Sequence, residues 1–236
     1  MTSRGLLPTA FLLLAALSPL SAASDPATPR GRFLELHSCE LYAGSCVVSA
    51  EANVSGNYLL RVWQFDEGAL AGVPLRGLSV ALLEKGPQNL AVPQNAARAA
   101  VAYLPPALTA PQRAALLAWA ARNTRAQLHP ENVRTLAFTV AFAPDRVRFT
   151  AGSDLAFSGA MPPDCGLSSC GEMLWYEPRV AATSFVVDQL DSSRIVEPLL
   201  DLTWRDHGRR TLFAGRFGDP EPAIPPVCGA ARTASL

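Results

Sequence analysis

Apolar positions along the chain recur at every second residue or in short unbroken runs, the pattern of strands with one or two buried faces. Such runs are YLLRVWQF (58–65), GLSVALLE (77–84), RAAVAYL (98–104), RTLAFTVAF (134–142), RVRFTA (146–151) and DLAFSG (154–159). Three more follow: ATSFVVDQL (182–190), LLDLTWRD (199–206) and RRTLFAGRF (209–217). APD (143–145) supplies turn residues before RVRFTA, and His207–Gly208 predicts a tight hairpin between the last two runs. One stretch has a different period, TAPQRAALLAWAARN (109–123). Thr109 at its start, Pro111 in the first turn and Gln112 three residues after Thr109 make a capping-box pattern. Ala, Leu and Arg then supply high helix propensity. Leu116, Leu117, Trp119 and Ala120 form its apolar face, with Arg113 and Arg122 outward. About ten strands and one helix near 109–122 predict an α+β domain, mostly antiparallel β and sandwich- or barrel-like.

The two ends of the chain read differently. Arg4 precedes an apolar run, AFLLLAAL (10–17), and Ser21 and Ala23 fit the −3 and −1 positions of a signal-peptidase site. The run is far shorter than the about 20 residues of a spanning helix, so 1–23 reads as a cleaved signal peptide with Ser24 as the first mature residue. No later stretch is apolar enough to span a bilayer. Residues 24–32 are a polar leader, and 218–236 form a Pro-rich extended tail with prolines at 220, 222, 225 and 226. Residues 33–217 then make a single domain. The expected location is exported, periplasmic or secreted.

Composition narrows the function classes. The chain has 20 basic and 20 acidic residues, with Lys85 its only lysine and no basic block. A nucleic-acid footprint needs a basic face, so no nucleic-acid partner is expected; partners are otherwise unknown. The 49% apolar content argues against disorder.

Chemistry concentrates around cysteines. Standard signatures, from phosphate loops to HExxH and Cys-x-x-Cys, are absent. Asp66 and Glu67 are adjacent and point apart on a strand. His129 and His207 read as loop residues. HSCELYAGSC (37–46) gathers His37, Cys39, Glu40, Tyr42 and Cys46, with His37 and Cys39 expected on one strand face. DCGLSSCGEM (164–173) gathers Asp164, Cys165, Cys170 and Glu172. Export would place these thiols in an oxidising compartment. Five cysteines leave at least one outside any intramolecular bridge, and Cys228 in the tail is the expected odd one. Three readings stay open. Cys39, Cys46, Cys165 and Cys170 form structural disulfides; or thiolates with His37 bind a soft metal, Cu or Zn; or a thiol carries enzyme chemistry, for which no base stands beside a cysteine.

The order of segments resembles the DUF1326 family, bacterial proteins of unknown function. FLELHSCELYAGSCVVSAEANVSG is similar to the family's opening, through Cys39, Gly44, Cys46, Ala50, Glu51 and Asn53. VWQFDEGALAGVPLRGLSVALL, LTAPQRAALLAWA, CGEMLWYEP and LTWRDHGRRTLFAGRF are similar to later segments, so the resemblance spans about 33–217. Glu172 and Met173 stand where the family pattern has Asn and Glu, and LPPALT (104–109) replaces a more acidic approach to the helix. The resemblance implies that Cys39, Cys46 and Cys170 belong together, and makes Glu51, Asn53 and Glu172 further candidate site residues. It supplies no activity.

Overall fold

The computed structural model describes residues 28–44, 56–90, 98–160, 173–175 and 179–218, with backbone alone at 42–44 and 173–175. Residues 1–27, read from the sequence as a signal peptide and most of a leader, and 219–236, nearly all of the Pro-rich tail, lie outside the described residues. The first elements are β1 (Arg30–His37), β2 (Tyr42–Gly44), β3 (Tyr58–Glu67), β4 (Ala69–Leu70), β5 (Val73–Pro74), β6 (Ser79–Lys85) and β7 (Ala99–Leu104). Then come helix α1 (Ala110–Arg122), β8 (Val133–Thr135), β9 (Phe138–Phe142), β10 (Arg146–Ala151) and β11 (Leu155–Ala160). The last are β12 (Met173–Trp175), β13 (Ala182–Glu197), β14 (Leu202–Asp206) and β15 (Leu212–Phe217).

Ten strands form one sheet in the order β8-β7-β6-β3-β1-β15-β13-β11-β10-β9, with β14 added along β13. Its pairings are antiparallel except β7 with β8. The two strands that end this path, β8 and β9, are joined through Leu136 and Ala137 alone. In a flat sheet they would stand about 43 Å apart, nine spacings of about 4.8 Å. Three chain steps from Thr135 to Phe138 span at most about 11 Å. The sheet therefore curls into a half-barrel. Within the linker, Leu136 N–H donates to the Leu104 carbonyl at 3.0 Å, and Gly152 N–H donates to the Ala137 carbonyl at 3.2 Å. This is why RTLAFTVAF is two strands at opposite edges, where the sequence pattern predicts one.

Both faces of the sheet are covered. Leu34, Leu36, Leu60, Val62, Leu83, Tyr103, Phe149 and Trp204 fill the inside of the curl. Phe33, Trp63, Phe65, Leu82, Ala102 and Phe213 lie on the outer face beneath α1, which buries Ala115, Leu116 and Ala120 there. Thr109 caps α1 and Gln112 closes the box, as the sequence predicts.

Three details add to or depart from the sequence reading. β1 begins at Arg30, within the stretch read as leader, because Arg30–Arg32 pair with β3 and Gly31–Arg32 with β15. β13 runs past Leu190 to Glu197 because its second half pairs with both β11 and β14. His207–Gly208 does not close a hairpin between β14 and β15. The reversal comes earlier, at a 3-10 turn (Pro198–Leu200) followed by Asp201 in the left-handed region (φ 44°), which returns β14 onto β13. Gly208 N–H donates to the Leu190 carbonyl at 2.7 Å, so the later turn wraps β13 and delivers β15 to its first half. Among the described residues no helix is long and apolar enough to cross a membrane.

Candidate functional site

On the outer face, β1 continues from Phe33 to Glu35 and His37 by strand alternation. Glu35 is fully buried. Its Oε1 accepts from His37 Nε2 at 2.5 Å and from Arg179 N–H at 2.8 Å, and its Oε2 accepts from Val180 N–H at 2.9 Å. Burial alone pushes the Glu35 carboxyl up. His37, the Arg61 guanidinium and the Arg179 N–H outweigh it, and the net pKa lies below the usual carboxylate value. Glu35 is thus a carboxylate near neutral pH, and His37 Nε2 is the donor.

Arg61 sits opposite Glu35 in the β1–β3 register. Its guanidinium bonds Glu84 on β6 and lies 5.3 Å over the Trp63 ring. Glu84, also buried, accepts from Thr124 Oγ1 at 2.6 Å with its other oxygen. Glu35, Arg61 and Glu84 thus form a buried ionic row across three adjacent strands. Such a row is expensive to desolvate and holds together only because each carboxylate oxygen has a donor.

His37 packs edge-on against Phe213, ring centroids 5.7 Å apart. With Nε2 bonded to Glu35, only Nδ1 remains as a nitrogen able to take a ligand. The strand ends at His37. Ser38 and Cys39 lie in a bend: Ser38 N–H donates to the Tyr58 carbonyl at 3.1 Å, and Ser38 Oγ accepts from Tyr58 N–H at 2.9 Å. The expected sharing of one strand face by His37 and Cys39 therefore does not hold; the alternation stops before it reaches the cysteine. Cys39 is half-buried. The next turn is fixed by Glu40, which accepts from Arg209 Nε at 3.1 Å and Arg210 N–H at 3.0 Å, and by Leu41, whose N–H donates to the Arg210 carbonyl.

β2 lies between Cys39 and Cys46 in sequence, and β12 begins three residues after Cys170. The two strands pair antiparallel, Gly44 with Met173 and Tyr42 with Trp175. The two cysteine-bearing segments thus contribute neighbouring strands. Cys46, Cys165, Cys170, Cys228, Glu51, Asn53 and Glu172 themselves lie outside the described residues. Among the described residues no three His, Cys, Asp or Glu side chains are gathered to hold a metal ion. His129 and His207 are exposed. Asp66 and Glu67 turn to different partners, Asp66 to Arg32 and Arg216 and Glu67 to Arg30.

Sequence reasoning found His37 and missed Glu35, Arg61 and Glu84. The signal was present. Each is a charge at a buried position of a largely apolar strand, FLELH, YLLRVWQF and SVALLEK, and a charge there requires a buried partner. No family model, curated protein or solved structure matches the chain.

Proposed function

We propose that the protein is an exported binding module that takes a soft metal ion, Cu(I) or Zn, through the thiolates of Cys39, Cys46 and Cys170 with His37 beside them. The observation that carries this reading is the Glu35–His37 pair. Metal-binding imidazoles characteristically give their other ring nitrogen to a carboxylate or carbonyl, which fixes the tautomer and orients the ring. Glu35 does this for Nε2, and its own position is fixed by two backbone N–H groups from 179–180. The β2–β12 pairing supports the convergence of the thiolates. Thiolate sulfur with imidazole suits Cu(I) and Zn better than hard cations.

A second reading shares the β2–β12 observation: an interaction protein in which the same cysteines are disulfide staples. A bridge from Cys46 to Cys170 would close a loop of over 100 residues and stabilise the fold by about 4–5 kcal/mol.

One sample separates them. Thiols are counted in the unreduced, purified chain, and the reduced chain is then titrated with Zn or Cu(I) and its metal content measured. The metal reading expects about one equivalent per chain, and a loss of affinity of about 10–100-fold in both His37→Ala and Glu35→Gln. Four thiols locked in bridges, or a reduced chain that takes up no metal, would overturn it and leave the staple reading.

A further inference from the structure

The large sheet ends on two strands, β8 and β9, and only one of them is blunted. β8 is three residues long, and its Arg134 is tied to Glu197. β9 runs Phe138–Phe142, FTVAF, with no charge, no proline and no register shift against β10. Charges, prolines and bulges are the usual protection of an edge, because a bare row of N–H and C=O groups templates another strand.

Two bonds fix the direction of those groups. Ala143 N–H donates to the Arg146 carbonyl at 2.8 Å, and Gly152 N–H to the Ala137 carbonyl at 3.2 Å. Odd-numbered residues from 137 to 143 therefore turn their backbone groups toward β10. By alternation Phe138, Val140 and Phe142 turn theirs to the other side, where no strand pairs with β9 among the described residues. The side chains of the same three residues face the interior cluster and are only partly buried.

This edge is complementary to itself. In an antiparallel pair of two β9 strands centred on Val140, Val140 meets Val140 of the second copy, Phe138 meets Phe142, and Thr139 meets Ala141. Each copy brings the outward N–H and C=O groups of Phe138, Val140 and Phe142, and this register pairs them all. A register shifted by two residues leaves some over. The pairing also stops where donors stop. The next residues to meet are Leu136 and Pro144; the Leu136 N–H is held by the Leu104 carbonyl, and Pro144 has none. The paired stretch carries no charge in either copy. Beyond it Arg134 comes opposite Arg146, and each already has its own acid, Glu197 and Asp191.

We infer that β9 is a self-association edge, and that two copies of the chain pair about Val140 as a two-fold dimer. Phe138–Phe142 pairs across the seam cover rings that one copy leaves partly exposed. Five residues a side is small beside the about 20–30 of a standard interface, so the dimer is weak and reversible. The inference does not rest on the metal reading.

The test is sedimentation velocity on the full chain over a rising concentration series, in reductant to remove intermolecular disulfides, with residue-resolved amide exchange on the same samples. The sedimentation coefficient is expected to rise toward that of a dimer. Exchange at Phe138, Val140 and Phe142 is expected to slow in step with the dimer fraction. Thr139 and Ala141, whose groups face β10, are expected to be protected at every concentration. Val140→Pro removes the central donor at an edge position that tolerates proline, since that N–H makes no bond to β10; it is expected to stay monomeric with the wild-type circular dichroism. Thr139→Lys, on the exposed outer face, is expected to weaken the dimer at least about tenfold and carries the test if the proline variant misfolds. A sedimentation coefficient independent of concentration would overturn the inference. So would protection of Phe138, Val140 and Phe142 that does not change with concentration, since the chain itself would then cover the edge. A dimer undiminished in Thr139→Lys puts the contact elsewhere and overturns it as well.

Discussion

Replacing Glu35 by glutamine keeps the shape of the side chain and removes its charge and one acceptor oxygen. In the native chain three donors converge on that carboxylate, His37 Nε2, Arg179 N–H and Val180 N–H, and the Arg61 charge lies nearby. The amide of glutamine offers one acceptor oxygen and turns an NH2 group toward the rest, so at least one buried N–H is left without a partner. That costs about 1–3 kcal/mol. Glu35→Ala removes every acceptor and leaves Arg61 without its second carboxylate, at about 3–5 kcal/mol. The pH dependence separates charge from shape. The folded pKa of Glu35 lies below its unfolded value of about 4.3, so the unfolded chain takes up the proton first. The stability that the charge contributes is complete above the unfolded pKa and is lost as the pH falls through the folded one. Urea midpoints at several pH values between about 7 and 2, followed by far-UV circular dichroism, give the two curves. The wild type is expected to lie above Glu35→Gln at neutral pH and to converge toward it in acid. A constant gap across that range would show that the carboxylate is not ionised by its neighbours, and would refute the account of the buried row.

Three further substitutions probe other parts of the fold. Thr109→Ala removes the α1 cap; because Gln112 N–H lies 3.4 Å from Thr109 Oγ1, the loss is expected near the low end of the usual range, about 0.5–1 kcal/mol in a denaturation midpoint. Tyr103→Phe deletes the 2.6 Å bond from the phenol to buried Glu197 Oε2, and a loss of about 1–3 kcal/mol is expected by urea denaturation, since Arg134 Nη1 still holds the carboxylate at 3.0 Å. Gly215→Ala would put a Cβ 2.2 Å from the Ser184 carbonyl oxygen and 2.8 Å from the Phe33 ring; neither neighbour is a flexible side-chain end, so a loss of about 3 kcal/mol or more, or a failure to fold, is expected in the same assay.

The fold class was legible because the strands are short, β-branched and bounded by turn residues, and because α1 carries its start signal in Thr109, Pro111 and Gln112. Pairing was not legible. Nothing local in RTLAFTVAF shows that Val133–Thr135 runs parallel to β7 while Phe138–Phe142 closes the opposite edge, since that depends on the Leu104 carbonyl and the Gly152 N–H, met only after the sheet curls. The same holds for DHG, whose turn chemistry is real but wraps β13 instead of closing a hairpin. At the site, His37 stood out because a histidine beside cysteines invites attention. Arg61 and Glu84 did not, because they pair with each other across strands, and Glu35 did not, because its backbone donors come from residues 179–180; a one-dimensional reading gives no register between these segments.

The position of β15 governs the order in which this chain is able to fold. The last strand of the domain is inserted between β1 and β13, with Leu34 paired to Ala214 and Val186 paired to the same residue from the other side. The strands β3, β6 and β7 can meet one another as soon as they are made, as can β9, β10 and β11, because their pairings are local. The two groups become one sheet only when Leu212–Phe217 arrives. Contacts this distant in sequence are slow to form, and until they form β1 and β13 each present an open edge, the condition that invites association with other chains. A chain cut just before Leu212 would keep its other strands and α1, yet its two half-sheets would be joined only through the β8–β9 linker and the packing inside the curl, without the central ladder.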